Sequence, residues 1–247
     1  MKGMCGRYAS ARSDVDLIEG FGIDDVLGPE PPPSWNVAPT QDSRVVLERA
    51  LPAQPGATRQ LRTMRWGLVP SWAKSPKIGS KMINARLETL TDKPAFRVAV
   101  ARRRLVVPAD GYYEWQSIGG DKVPYFLHEP GRGLSFAGLY EMWRDPTRPP
   151  EDPDRWLWTY AIVTTTAPDA LGHLHDRSPV VVPDDLVDAW LDPELTDPDR
   201  VRDLLAAMPE PRLVPHVVSR AVNSANNNGP ELRLPAPETP AQQALPL

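Results

Sequence analysis

Cysteine is nearly absent from this chain: one residue, Cys5, among 247. That excludes an intrachain disulfide and fits a reducing, cytoplasmic setting. Histidine is scarce as well, four in all, so no zinc site of the Cys/His type, and no metal, is expected. There is no run of about 18 apolar residues, so a membrane-spanning helix is not expected. The amino terminus lacks the charged-then-apolar build of a secretory signal. No glycine-rich phosphate loop and no strand–helix–strand rhythm occur, which sets aside Rossmann and P-loop folds. No internal repeat is evident, and no cofactor is implied.

What remains is ordinary for a globular chain, 41% hydrophobic and 24% charged, and long enough to bury a core. Thirty prolines cluster at 29–33, 146–153 and 230–246. The first two clusters read as loops. Residues 235–247 read as a disordered tail, because their composition cannot bury enough surface to offset ordering entropy. Short apolar or β-branched runs at 44–47, 105–108, 124–127, 134–139, 158–165, 180–182 and 213–218 predict strands. Helical spacing marks 14–21, with Ser13 or Asp14 as N-cap, and also 84–91, 168–173, 184–191 and 197–208. This irregular mixture predicts an α+β domain with a barrel-like sheet.

Net charge is −4, but it is unevenly spread. Residues 59–104 carry twelve Lys/Arg against two Asp/Glu, a balance of +10, whereas 1–58 carry −3 and 105–247 carry −11. A basic segment inside an acidic protein predicts a localised anion site. Trp66 and Trp72 lie within it, and aromatic faces among cations suit single-stranded nucleic acid: each stacked base is worth roughly 1–3 kcal/mol. Either ring serves equally well as core.

Cys5 lies directly behind a second methionine, Met4. A start at Met4 followed by its removal, or loss of a 1–4 leader by another route, would make Cys5 the first residue. Its α-amine and thiol can attack one aldehyde in succession, first as an imine and then as a five-membered thiazolidine. An α-amine of pKa about 7.7–8.0 is far more often neutral near pH 7 than a lysine. The thiol, with a free pKa of about 8.5, is partly ionised. Ring closure is intramolecular and gains accordingly. The plain alternative is that a lone cysteine is a small buried hydrophobe.

Other strings gather polar, aromatic and rigid residues at strand ends. Glu114, between aromatics in Gly111-Tyr112-Tyr113-Glu114-Trp115, would have its pKa raised by an apolar surround and so serve as acid or base. A carboxylate held by an arginine is the competing reading. His175, beside Asp176 and Arg177, is a second proton carrier or a structural hydrogen-bonding residue. Asn84, in Ile83-Asn84-Ala85-Arg86-Leu87-Glu88-Thr89, offers an amide that could hold an aldehyde or ring oxygen.

Read together, Met4-Cys5-Gly6-Arg7-Tyr8, Trp35-Asn36-Val37-Ala38-Pro39, Arg65-Trp66-Gly67-Leu68-Val69-Pro70-Ser71-Trp72, the Asn84 and Glu114 strings, Leu174-His175-Asp176-Arg177-Ser178-Pro179 and Val218-Ser219-Arg220-Ala221-Val222-Asn223 resemble the SRAP family of abasic-site processing proteins. The resemblance runs from Cys5 to about Leu234. It implies a single SRAP-type domain over 5–234, with a bifurcated mixed β-sheet and a small barrel surrounded by helices. It implies a protein that captures abasic sites in single-stranded DNA through Cys5, with lyase and self-processing activity besides; a monomer is the default expectation. By resemblance Asn84 orients the opened sugar, Glu114 assists imine formation and reversal, and His175 contacts the sugar hydroxyl or phosphate. Arg7, Asn36, Trp72, Arg86 and Arg177 would hold DNA. Two departures are the 1–3 leader and Ala73, which stands where some members carry a second tryptophan. Outside the resemblance stand a thiol peptidase with His175 as base and a DNA-binding module without chemistry.

Overall fold

The computed structural model describes residues 5–50, 56–167 and 174–236. From the amino end, β1 (Tyr8–Ser10) leads into α1 (Asp14–Phe21). The N-cap is Ser13: its hydroxyl accepts from the Asp16 N–H while the Asp16 carboxylate accepts from the Ser13 N–H, a reciprocal arrangement that satisfies two otherwise orphaned donors. Strands β2 (Asp25–Leu27), β3 (Ser34–Val37), β4 (Asp42–Ala50), β5 (Ala57–Trp66) and β6 (Asn84–Arg86) precede α2 (Arg97–Arg102). Then come β7 (Arg104–Ala109), β8 (Gly111–Ile118), β9 (Asp121–His128), β10 (Leu134–Arg144) and β11 (Trp156–Thr166). After β12 (Arg177–Pro179) the chain forms α3 (Val187–Leu191), α4 (Pro198–Ala206) and β13 (Val214–Val217).

Five of these strands form a ring. β5 pairs β4, β4 pairs β7, β7 pairs β10 and β10 pairs β11. β11 then returns to β5, with Thr159 beside Arg65 and Tyr160 beside Trp66. Successive residues on a strand face opposite ways, and the ring uses this to build two cores. Val45, Leu47, Met64, Trp66, Leu105, Val107, Phe136, Tyr140, Tyr160 and Ile162 fill the inside. Val46, Leu61, Val106, Leu139, Ala161 and Val163 face outward, where Leu17, Val100, Trp190 and Leu205 of the four helices cover them. Strands apolar on both faces are what a sheet covered on both sides requires.

A second sheet, ordered β13-β9-β8-β1-β3, lies against one end of the barrel. It inserts Tyr8 and Tyr112 into the inner core, where the Tyr8 and Tyr160 hydroxyls meet at 2.6 Å. The fold is therefore α+β, two mixed and antiparallel sheets with a small closed barrel and helices outside it. Among the described residues no helix is long and apolar enough to cross a membrane.

Two expected elements differ. Residues 84–91 are not a helix: Asn84, Ala85 and Arg86 pair with Ile162, Val163 and Thr164 as β6, and one 3-10 turn follows. Long-range pairing has overridden helical spacing. Residues 180–182 form a single bridge, Val181 to Phe136, and the strand lies just before them as β12. The helix expected over 168–173 falls outside the described residues, as do 1–4 and 237–247. Ala236, expected in the tail, donates to the Val217 carbonyl at 2.8 Å.

Candidate active site

Cys5 lies just ahead of β1, at the barrel end that the second sheet covers, and is fully buried. Two elements hold its backbone. Asn84, opening β6 beside Ile162, donates from Nδ2 to the Cys5 carbonyl at 3.3 Å. Glu114, on β8, accepts the backbone N–H groups of Cys5 and Trp115, while its Oε1 is buried with no hydrogen-bond partner. Residues 79 and 109 positions away in sequence are thus brought onto the backbone of one residue, at its carbonyl and its nitrogen, by the pairing of β6 with β11 and of β8 with β1.

The electrostatics follow from burial. Removal from water raises the Glu114 pKa to about 8, helped by the negative charge of Asp176 and opposed by the two N–H donors. No arginine holds it among the described residues, so the competing reading of this carboxylate is not the one realised. Burial also pushes the Cys5 thiol well up, and Glu114 adds to the effect. Both groups are accordingly protonated near neutral pH.

His175 borders the same place. Leu174 packs into the inner core beside Cys5, and Asp176 acts on Glu114. The His175 ring is only 12% exposed. Its Nδ1 accepts the Arg177 backbone N–H at 3.0 Å, and its buried Nε2 has no partner. With Nδ1 acting as acceptor, the neutral ring carries its proton on Nε2, which makes it a donor toward the site. Asp176 Oδ1 lies 3.0 Å from the same Nδ1.

The remaining residues divide. Arg177 is clamped by Glu88, Nη1 to Oε1 at 2.7 Å and Nη2 to Oε2 at 2.9 Å, with the Thr164 carbonyl at 2.7 Å. The clamp spans β11 and ties β6, carrying Asn84, to the strand that follows His175. Glu88 was invisible in sequence as a site residue, since nothing in its spacing points to position 177. Arg86, exposed at the end of β6, stands at the same rim. Arg7 and Asn36 form a latch instead: Arg7 Nη1 donates to Asn36 Oδ1 at 2.7 Å and to the Val222 carbonyl at 2.9 Å. Asn36 Nδ2 then reaches the carbonyls of Ser224 and Asn227, both at 2.9 Å.

The two tryptophans part company. Trp66 has no exposed surface, donates to the Ile83 carbonyl at 2.9 Å and meets Tyr8 edge-on. A ring sealed in the barrel cannot stack on a base, so its expected DNA contact is corrected to a core role. Trp72 is 61% exposed, on a loop anchored where the Ala73 carbonyl accepts from Trp143 Nε1 at 2.6 Å. Nor does the basic segment form one patch. Arg59 pairs with Glu48 and Asp188, Arg103 with Glu141, and Arg104 donates to the carbonyls of Val100 and Trp190. No group of three metal-ligating side chains is found among the described residues.

Relatives carry the same framework. The chain is 40% identical over 232 residues to the abasic site processing protein YoqW of Bacillus subtilis, covering 93% of this chain and 98% of that protein. It is 31% identical to the abasic site processing protein HMCES of Gallus gallus, over 94% of this chain and 78% of that one. A solved structure from Bacteroides thetaiotaomicron shares the fold at a TM-score of 0.75 and 21% identity, over 94% of this chain and all of that one. The family model for SOS response associated peptidase (SRAP) matches residues 4–225. With that span and those relatives, the chain belongs to the SRAP family.

Proposed function

We propose that this protein captures abasic sites in single-stranded DNA covalently, through a thiazolidine formed by Cys5 as the first residue of a matured domain spanning about 5–234. The observation that carries the reading is the contact between Glu114 and the Cys5 backbone nitrogen, beside a thiol and an Asn84 amide in the same buried spot. Once residues 1–4 are lost, that nitrogen becomes an α-amine facing a carboxyl group that holds its proton up to about pH 8. The pair can share one proton, which leaves a neutral nucleophile next to an acid.

The steps balance. The amine attacks the C1′ aldehyde of the opened sugar; the carbinolamine takes the Glu114 proton onto its hydroxyl and leaves as water, giving the iminium. The thiol then adds to the iminium carbon and passes its proton to the Glu114 carboxylate, which restores the acid. Asn84 orients the sugar, and the His175 Nε2–H donates to a sugar hydroxyl or phosphate. Arg86, Arg177 and Trp72 meet the flanking strand. The iminium is also the intermediate from which β-elimination would give lyase activity.

A thiol peptidase is favoured less, because it would use an ionised thiolate and Cys5 is buried and protonated. Incubating protein that begins at Cys5 with a single-stranded oligonucleotide carrying one abasic site, and weighing it intact, tests the reading. A mass increase equal to the oligonucleotide less one water is expected. No increase with the trimmed chain would overturn it.

A further inference from the structure

The barrel has a second mouth, at the end opposite Cys5, where four side chains gather. Tyr140 of β10 and Trp158 of β11 stack with centroids 5.7 Å apart and planes 24° from parallel. The Arg62 guanidinium lies 3.7 Å from the centre of the Trp158 ring, and that of Arg49 lies 5.2 Å from the same centre. Each cation–ring contact is favourable, yet two cations on one ring repel each other. Burial, and then Arg49, depress the Arg62 pKa.

Other arginines with little exposed surface are compensated by carboxylates or carbonyls, as Arg59, Arg103 and Arg104 are on the outer side of the ring. Among the described residues Arg49 and Arg62 have no carboxylate partner, and the hydrogen bond of Arg62 is a long one, 3.5 Å, to Gln60 Oε1. Both are half-buried, with surface left facing water. Trp156, two residues before Trp158 on the same strand face, is 41% exposed and lies under Arg155. The loop carrying Trp72 reaches this end too, because Trp143, which anchors Ala73, stands opposite Leu157 in the β10–β11 register. Acidic residues are near, but Asp145 and Asp152 are engaged by Arg148.

We propose that Arg49 and Arg62, backed by Trp158 and flanked by Trp156, form a second nucleic-acid contact that binds phosphodiester groups of a single strand. The strand leaves the Cys5 end, passes Trp72 and reaches this mouth, where its phosphates supply the anion that the two guanidiniums lack. The proposal rests on the reading that the protein engages single-stranded DNA; it does not depend on covalent chemistry at Cys5.

The test titrates the full chain with a fluorescein-labelled oligothymidylate that is long enough to span both ends and free of abasic sites. In R49A/R62A affinity should fall about tenfold, and the slope of log affinity against log salt should shrink by about 1.4, two phosphates at about 0.7 each. R49A alone keeps the Arg62–Trp158 stack and so keeps the mouth sealed; its slope should shrink by about 0.7. R97A/R102A, on the exposed side of α2, should bind as the parent does. A folded R49A with parental affinity and slope overturns the proposal, as does an equal loss in R97A/R102A. So does a loss confined to inorganic polyphosphate. Because the oligonucleotide carries no abasic site, this titration does not read capture, and failure of capture and failure of the second contact read out separately.

Discussion

The two ends of the barrel solve opposite electrostatic problems with the same interior between them. At the covered end a carboxyl and a thiol are buried with no cation beside them among the described residues, and both are held protonated. At the open end two guanidiniums crowd one indole with no carboxylate partner among the described residues. A buried acid removes its charge by keeping a proton; a buried arginine must borrow charge from something else. The first end therefore suits proton transfer, and the second suits the recognition of an anion.

The largest effect that would separate the ends is Cys5→Ala. Covalent adduct with an abasic oligonucleotide should vanish on a denaturing gel, while non-covalent binding stays within about twofold of the parent; an adduct that survives means another nucleophile acts. Glu114→Gln should come next, slowing capture by about 10²–10⁴-fold if the carboxyl is the proton carrier. Its stability has a sign that can be checked in the full-length chain. The folded pKa is about 8 against about 4.3 unfolded, so the stability it contributes is complete below about pH 4.3 and lost as pH rises through 8. Glu114→Gln should thus melt above the parent at pH 9, by an amount on the order of a few kcal/mol, and level with it at pH 4. An unchanged difference across that range would place the carboxyl in water.

Trp66→Ala and Trp72→Ala form a smaller, paired test. The first empties a fully buried site and should cost about 3–5 kcal/mol of stability in denaturant melts. The second should leave melting alone and weaken single-strand binding by roughly 1–3 kcal/mol. Reversed outcomes would exchange the roles assigned to the two rings.

How much of this was legible in the sequence depends on how local the cause was. Helix α1 was read to its ends because Ser13 and Asp16 cap it within one turn. Strands β4, β7, β9, β10 and β11 were found from apolar or β-branched runs that need no partner to be seen. Strand β5 was missed: Arg59, Arg62 and Arg65 interrupt it, and their charges are answered by distant groups such as Glu48, Asp188 and the Trp158 ring. Strand β6 was misread because three residues gain their conformation only from Ile162–Thr164. The site shows the same division. Cys5, Asn84 and Glu114 were each suspected singly, but that the last two hold the backbone of the first is a property of the sheet pairing. The +10 segment looked like one patch only because sequence does not reveal which arginines the fold consumes.

Two rungs alone, Arg65–Thr159 and Trp66–Tyr160, join β5 to β11, against nine between β4 and β5. Gly67 follows at a φ of 118°, where an added Cβ would lie 2.6 Å from the Gly79 carbonyl oxygen. The ring is thus closed like a garment by a short row of stitches, with only the single rung Val46–Val106 between β4 and β7 shorter, and breathing is easiest along such rows. In deuterium exchange the Gly67 amide, bonded to Tyr160 at 2.8 Å, should take up label well before the amides of Leu61 or Leu139. The same opening would wet the Tyr8–Tyr160 hydroxyl pair, so the rate at which that seam parts sets how often solvent reaches the floor beneath Cys5.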